Sequence, residues 1–261
     1  MEVELKGKVA LVTGASRGLG KSVAGELAAA GAAVLLVARD VASLKDTAAA
    51  IAARGAEPPA IHPSELMAPD AAASCIDAVI DRFGRLDILV NCAGATRRGD
   101  FFNLTDGDWT DGFALKFHGS VRMCRAAWPH LIESKGCVLN VVGVSSRTPS
   151  ADFTIGGSVN AALMSFTKAL AELGTLDGVR VNAVNPGYIH TERLTHRIET
   201  LMREREASRA DIEQELLRGY GLRRFGQPED VARLAAFLAS AHASYIHGAT
   251  LDIDGGATRG L

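Results

Sequence analysis

The chain lacks the features that would place it in a membrane, on a nucleic acid or around a metal. No uncharged apolar run is long enough to span a bilayer. The formal net charge is −2, which gives no electrostatic case for nucleic acid or an anionic membrane. Four cysteines, Cys75, Cys92, Cys124 and Cys137, are scattered with no C-x-x-C pair. They read as reduced thiols rather than a disulfide framework or a zinc site. None of the seven histidines falls in an H-E-x-x-H or other metal spacing, so no metal is expected. The first residues, Met1–Lys6, lack a basic segment followed by an apolar one. No signal peptide is expected, and a cytoplasmic location is. Tyrosine is scarce as well: only Tyr188, Tyr220 and Tyr245 occur.

What the chain does have is a rhythm. Its 261 residues, 48% hydrophobic, suit one sizeable α/β domain or two small ones. Strand-length apolar runs occur at Val9–Val12, Ala33–Ala38, Ala60–His62, Leu86–Asn91, Cys137–Val142, Val179–Val184 and Thr250–Ile253. Helical patterns lie between them at Gly18–Ala30, Val41–Ala53, Asp70–Phe83, Asp108–Ser134, Gly156–Leu173 and Pro228–Ala239. Nearly continuous apolar strands alternating with helices predict a doubly wound parallel sheet, Rossmann-like, in a three-layer α/β/α arrangement. No linker or repeat divides residues 1–261, so a single domain is expected, with its ligand crevice at the carboxyl ends of the strands.

The stretch Thr13-Gly14-Ala15-Ser16-Arg17-Gly18-Leu19-Gly20 joins the first strand to the first helix. A glycine-rich turn opening a helix N-terminus presents backbone N–H groups and a favourable dipole to phosphate. Gly14 lets the turn close, Gly18 lets a pyrophosphate approach, and Gly20 lets helix and strand pack closely. Residues Thr191–Phe225 break the rhythm, with Arg193, Arg197, Glu199, Arg203, Glu204, Arg205 and Glu206 reading as a solvated helix face. Leu194, Ile198, Leu201 and Met202 form one apolar stripe, and the excursion is a candidate substrate lid.

With these motifs in place, the chain resembles the short-chain dehydrogenase/reductase family over nearly its whole length. Thr13–Gly20 is similar to the family's T-G-x-x-x-G-x-G, and Asn91-Cys92-Ala93-Gly94 to its N-N-A-G. Asn185-Pro186-Gly187 with Thr191 looks like the P-G motif beside the nicotinamide. Arg224-Phe225-Gly226-Gln227-Pro228-Glu229-Asp230 and Asp254-Gly255-Gly256 also match family members. The resemblance implies cofactor contacts from Gly14, Ser16, Arg17, Gly18, Leu19, Gly20, Arg39, Glu65, Leu66, Asn91, Ala93, Gly94, Asn160, Pro186, Gly187, Ile189 and Thr191. It also implies a small-molecule substrate and a homo-oligomer, a tetramer or dimer. The second strand ends Val37-Ala38-Arg39-Asp40, with Ala38 where an acid would bind both ribose hydroxyls. Arg17 and Arg39 are expected to converge on a 2′-phosphate, which favours NADP(H) over NAD(H). The competing reading of both is two surface arginines.

The catalytic positions depart from the family. Its Tyr and Lys stand four apart on one helix, with a Ser upstream and an Asn on the preceding helix. Ala161-Ala162-Leu163 fix the register, which puts Gly156 at the Tyr position and Asn160 at the Lys position. Gly143 falls at the Ser position and Lys116 at the Asn position. Lys and Asn have exchanged places, so Lys116 is expected to return a cation to the same volume and Asn160 to hydrogen-bond ribose hydroxyls. Gly143 and Gly156 are expected to open the pocket floor. Tyr188, His190 and Ser145 are the substitute proton donors. Three readings stay open: an NADP(H)-dependent oxidoreductase with an atypical site, a catalytically inactive or regulatory NADP(H)-binding homologue, and a non-redox lyase or isomerase.

Overall fold

The computed structural model describes residues 2–260. Seven strands form one parallel sheet: β1 Val9–Thr13, β2 Ala33–Ala38, β3 Ala60–Pro63, β4 Ile88–Asn91, β5 Cys137–Val141, β6 Arg180–Pro186 and β7 Thr250–Ile253. Their spatial order is β3-β2-β1-β4-β5-β6-β7. The period of two decides what each face buries. In β1, Ala10 and Val12 pack against α1 (Gly18–Ala29) and α9 (Pro228–Ala239), with Val23, Leu27, Val231 and Leu238 fully buried beside them. Val9 and Leu11 face the other way, against α3 (Ala71–Phe83), α5 (Gly119–Ser134) and α6 (Thr154–Asp177) through Val79, Met123, Leu131 and Ala171. Each fully buried Leu or Val adds about 1.5–3 kcal/mol. A sheet covered on both faces needs apolar residues at nearly every strand position, and that is why the strands stand out in the sequence.

Three helical stretches differ from the sequence expectation. The pattern at Asp108–Ser134 is not one helix: α4 (Asp106–Phe113) is followed by a π-helical turn at Ala114–His118 and then α5. The start of α4 is set by Thr105, whose Oγ1 accepts from the Asp108 N–H while Asp108 accepts from the Thr105 N–H. α6 runs from Thr154 to Asp177, longer at both ends than expected, and stops at Gly178 in the left-handed conformation. Residues 191–225 hold two helices, α7 (Glu192–Arg205) and α8 (Arg209–Tyr220). Leu194 and Ile198 of α7 pack on Ile212 and Leu216 of α8 in a small apolar cluster separate from the two faces of the sheet. α2 (Val41–Ala52) begins where expected, because the Asp40 carboxylate caps the Ser43 N–H at 2.8 Å.

The order places β1 between β2 and β4, so the chain leaves β1 to one side and later resumes on the other. Two loops therefore diverge at the carboxyl ends of β1 and β4 and leave a crevice.

Candidate active site

The crevice begins at Gly14. Its φ of +68° is left-handed, and a Cβ there would lie 2.8 Å from the Cα of Ala93. Glycine is what lets the β1 turn touch the β4 loop. Thr13 secures the junction: its Oγ1 accepts from the N–H groups of Cys92 at 3.0 Å and Ala93 at 3.1 Å. A Cβ on Gly20 would meet the Gly14 carbonyl oxygen at 2.2 Å, so α1 is pressed directly against the turn. At Gly18 the nearest atom to such a Cβ is the Thr191 methyl, 3.9 Å away, which leaves that side of the loop open. Arg17, at the N-cap of α1, makes no capping hydrogen bond. The first-turn N–H groups thus keep their capacity for an anion.

Charge around the cradle is arranged in exposed pairs. Arg17 and Arg39 do not meet as two free cations. Arg17 pairs with Glu192 at 3.1 Å and Arg39 with Glu65 at 3.4 Å, all four side chains being exposed. Glu65, one of the expected cofactor contacts, pairs with Arg39 at the end of β2. Leu66 is 6% exposed and belongs to the core. Asn91 is buried with its amide donating to Asn140 Oδ1 at 2.9 Å, so its side chain braces β4 against β5.

Beyond the cradle the crevice widens into a cleft of about 1070 Å3. Leu19, Gly94, Lys116, Gly143, Ser145, Asn160, Pro186, Gly187, Tyr188, Ile189 and Thr191 all line it. Lys116 sits in the π-helical turn, a wide geometry that recurs at functional sites. Its stem lies on Gly94, where a Cβ would come within 2.9 Å of Lys116 Cδ. Its Nζ donates to the Val142 carbonyl, next to Gly143. Burial, and secondarily the nearby Arg193 cation, pull the ammonium down from the ordinary 10.5 to about 7. Lys116 and Asn160 both reach the cleft, but the lysine is held by a backbone carbonyl. Asn160 donates through Nδ2 to Ser145 Oγ at 2.7 Å, and its buried Oδ1 has no partner.

The pocket floor is not opened by the two glycines. A Cβ on Gly156 would lie 2.0 Å from the Phe153 ring, so that ring occupies the space where a tyrosine side chain would start. A Cβ on Gly143 would lie 2.8 Å from Asn160 Nδ2, on a backbone with φ of +148°. At each glycine a neighbouring side chain occupies the space a Cβ would enter.

The structure also divides the candidate proton donors. Ser145 lines the cleft beside Asn160. Tyr188 lines it too, stacked on Tyr220 at 3.7 Å between ring centroids and 17° between planes. Burial and the facing Tyr220 push its phenol above the usual range, which makes it a poor acid at neutrality. His190 is exposed and does not line the cleft; the Pro186–Thr191 loop turns it outward while the His190 N–H bonds to Gly226.

Phe153, Arg193, Arg197 and Tyr220 also form the wall, and the sequence reading missed all four in this role. Arg193 and Arg197 had been assigned to a solvated face. Their four-residue spacing flanks the buried positions Leu194 and Ile198, and that adjacency was the available signal.

An all-parallel sheet with a glycine-rich turn at its switch point defines a dinucleotide-binding α/β protein. Residues 14–258 match the family model for enoyl-(acyl carrier protein) reductase. An uncharacterized oxidoreductase of Mycobacterium tuberculosis is 36% identical over 256 residues, covering 97% of this chain and 93% of the relative. The 3-oxoacyl-[acyl-carrier-protein] reductase FabG of Pseudomonas aeruginosa is 32% identical over 255 residues, with 97% and 98% covered. The crystal structure of L-sorbose reductase from Gluconobacter frateurii, complexed with NADPH and L-sorbose, superposes with a TM-score of 0.95 at 29% identity over 100% of both chains. The chain belongs to the short-chain dehydrogenase/reductase family.

Proposed function

We propose that this protein is an NADP(H)-dependent oxidoreductase acting on a small carbonyl or alcohol, with Lys116 as the acid–base group. The observation that carries the reading is Lys116 itself, a cleft lysine whose ammonium titrates at about 7. General acids work best with a pKa near the operating pH, and buried lysines reach that range. The cradle fits a dinucleotide: Gly18 stands open, the first turn of α1 is uncapped, and the orphaned Asn160 Oδ1 is an acceptor for a ribose hydroxyl. Ala38 in place of an acid, and the NADPH bound by L-sorbose reductase, favour NADP(H). Arg17 and Arg39 would exchange their exposed carboxylate partners, worth at most about 1 kcal/mol each, for a 2′-phosphate.

A bound NADPH supplies hydride to a carbonyl carbon. The chain supplies the rest. Ser145 Oγ accepts from Asn160, so its own O–H is free to orient a carbonyl oxygen. Lys116 delivers the proton to that oxygen as charge develops and is reprotonated from solvent. Carbonyl reduction therefore needs the ammonium form. α7 and α8 form the outer wall and act as the lid. Exposed Ile132, Leu173 and Leu176 on α5 and α6 support a homo-oligomer built on the long helices. Four free cysteines, three of them buried, support a cytoplasmic location.

A second reading is favoured by Phe153, whose ring covers Gly156: an NADP(H)-binding homologue without turnover. Fluorescence titration with NADPH, followed by absorbance assays over a panel of carbonyls and alcohols, separates the two. Binding with oxidation of NADPH supports the oxidoreductase, binding without it across the panel supports the inactive homologue, and no binding refutes both.

A further inference from the structure

Arginines at the rim of the cleft are neutralised. Arg98 pairs with Asp152 and Arg205 with Glu215. Deeper, Arg197 from α7 has no carboxylate partner among the described residues. Its Nη2 donates to Tyr220 Oη at 3.0 Å, and its guanidinium carbon lies 5.9 Å from the ring centroids of both Tyr188 and Tyr220. Three elements converge here: Tyr188 from the loop after β6, Arg197 from α7, and Tyr220 from the end of α8. All three side chains line the cleft. A stack this close fixes the two rings, and the guanidinium lies at the edge of the pair, beside the Tyr220 hydroxyl.

We propose that Arg197, with the Tyr188 and Tyr220 hydroxyls, is a carboxylate-recognition subsite, and that the substrate is an oxo acid or hydroxy acid. This rests on the reading of the cleft as a substrate site. A guanidinium has five N–H donors in a planar fork, and one is spent on Tyr220. The remaining edge matches the two oxygens of a carboxylate. Tyr188 stays protonated through the whole neutral range, so its O–H donates and adds no opposing charge. Asp152 is close enough to sense Arg197, yet its oxygens are taken by Arg98 and Ser150. Glu204 from the same helix and Asp100 from the loop after β4 also line the cleft, but both are exposed, and Asp100 accepts from the Phe102 N–H. Lys116 and Arg193 add positive charge on the inner wall, each hydrogen-bonded only to a carbonyl, of Val142 and Gly94 respectively. An anionic substrate answers that excess, whereas a neutral one leaves a partly desolvated guanidinium unpaired.

The test compares short 2-oxo and 3-oxo acids with their methyl esters under saturating NADPH. It adds calorimetric titration of the NADPH-saturated protein with oxamate and with the neutral oxamide. The acids are expected to exceed their esters at least tenfold in kcat/KM. Arg197→Gln should bring the ratio towards one, chiefly through KM, and Arg197→Lys should restore part of it. Oxamate should bind and oxamide should not. Thermal melts with NADPH establish that each variant is folded. Reduction of esters as fast as acids, or an unchanged ratio in Arg197→Gln, overturns the proposal while leaving the oxidoreductase standing. Oxamate binding that depends on Arg197 without turnover of any carbonyl supports the subsite and refutes the oxidoreductase. Displacement of oxamate by NADPH overturns the subsite, because the anion would then occupy the cofactor's own place.

Discussion

In the proposed reaction Lys116 carries more of the chemistry than any other side chain in the cleft, and its charge is its distinguishing property. The folded chain holds the ammonium at about 7 against an ordinary 10.5. Below about 7 both folded and unfolded chains are protonated, and the folded state bears the full burial penalty. Between about 7 and 10.5 the unfolded chain binds a proton that the folded one does not, so stability rises with pH across that window. Lys116→Met removes the penalty, and its melting temperature should vary less between pH 7 and 10 than that of the parent. Gly156 makes a second residue-scale case. An added methyl forces the Phe153 ring aside, so Gly156→Ala should cost about 1–3 kcal/mol, and Phe153→Leu in the same chain should recover part. Thermal melts measure both. Gly156→Tyr alone should not create a working tyrosine, because the ring stands at its root. The register of the helix pointed to Gly156, but not to the neighbour that fills the space beside it. Phe153 lies three residues upstream, and only the fold of the preceding loop brings its ring over Gly156.

Among the elements, α7 and α8 depend least on the main core. Their shared cluster of Leu194, Ile198, Ile212, Leu216 and Phe225 is separate from the sheet's two faces. Arg17–Glu192 ties α7 to the glycine loop by an exposed pair of little strength. The pair of helices should therefore open locally before the sheet does. Ile198→Ala removes a fully buried side chain, worth about 2–5 kcal/mol, from that cluster alone. Hydrogen exchange should quicken across 192–220 while the amides of β1, β4 and β5 keep their protection; uniform quickening would show that the helices are integral to the core. The apolar stripe of α7 was legible because it follows the 3.6-residue period. α8 was not read as a separate helix, since its charges merged with those of α7. The π-turn at Ala114–His118 was also hidden. Its residues continue a helical pattern, and a widened turn has no residue signature of its own.

For the whole molecule, the doubly wound parallel sheet and the glycine turn after β1 were the most legible features. Apolar strands covered on both faces leave few alternatives, and the glycines of Thr13–Gly20 had only one place to act. The distribution of charge in the cleft was not legible, because it depends on which arginines find carboxylates in space. The cradle makes a direct demand on the molecule as a unit. Gly14→Ala adds a Cβ 2.8 Å from Ala93 at a positive φ, and it should abolish NADPH binding by separating the two loops. In the parent, NADPH at about 100 times its dissociation constant should add about 2.7 kcal/mol. That is a rise of several degrees in melting temperature, and Gly14→Ala should lose it.

The proton-delivery role of Lys116 is tested most directly by the pH dependence of kcat/KM for NADPH oxidation. The assay uses the best carbonyl substrate of the panel, with parent and Lys116→Met compared at saturating NADPH. The parent rate should be level in acid and fall as pH rises through about 7, where the ammonium is lost. Lys116→Met should retain NADPH binding, lose the rate 10²-fold or more, and lose that limb of the profile. A parent profile without a break near 7, or a Lys116→Met variant that reduces the same carbonyl at the parent rate, would contradict the role assigned to Lys116.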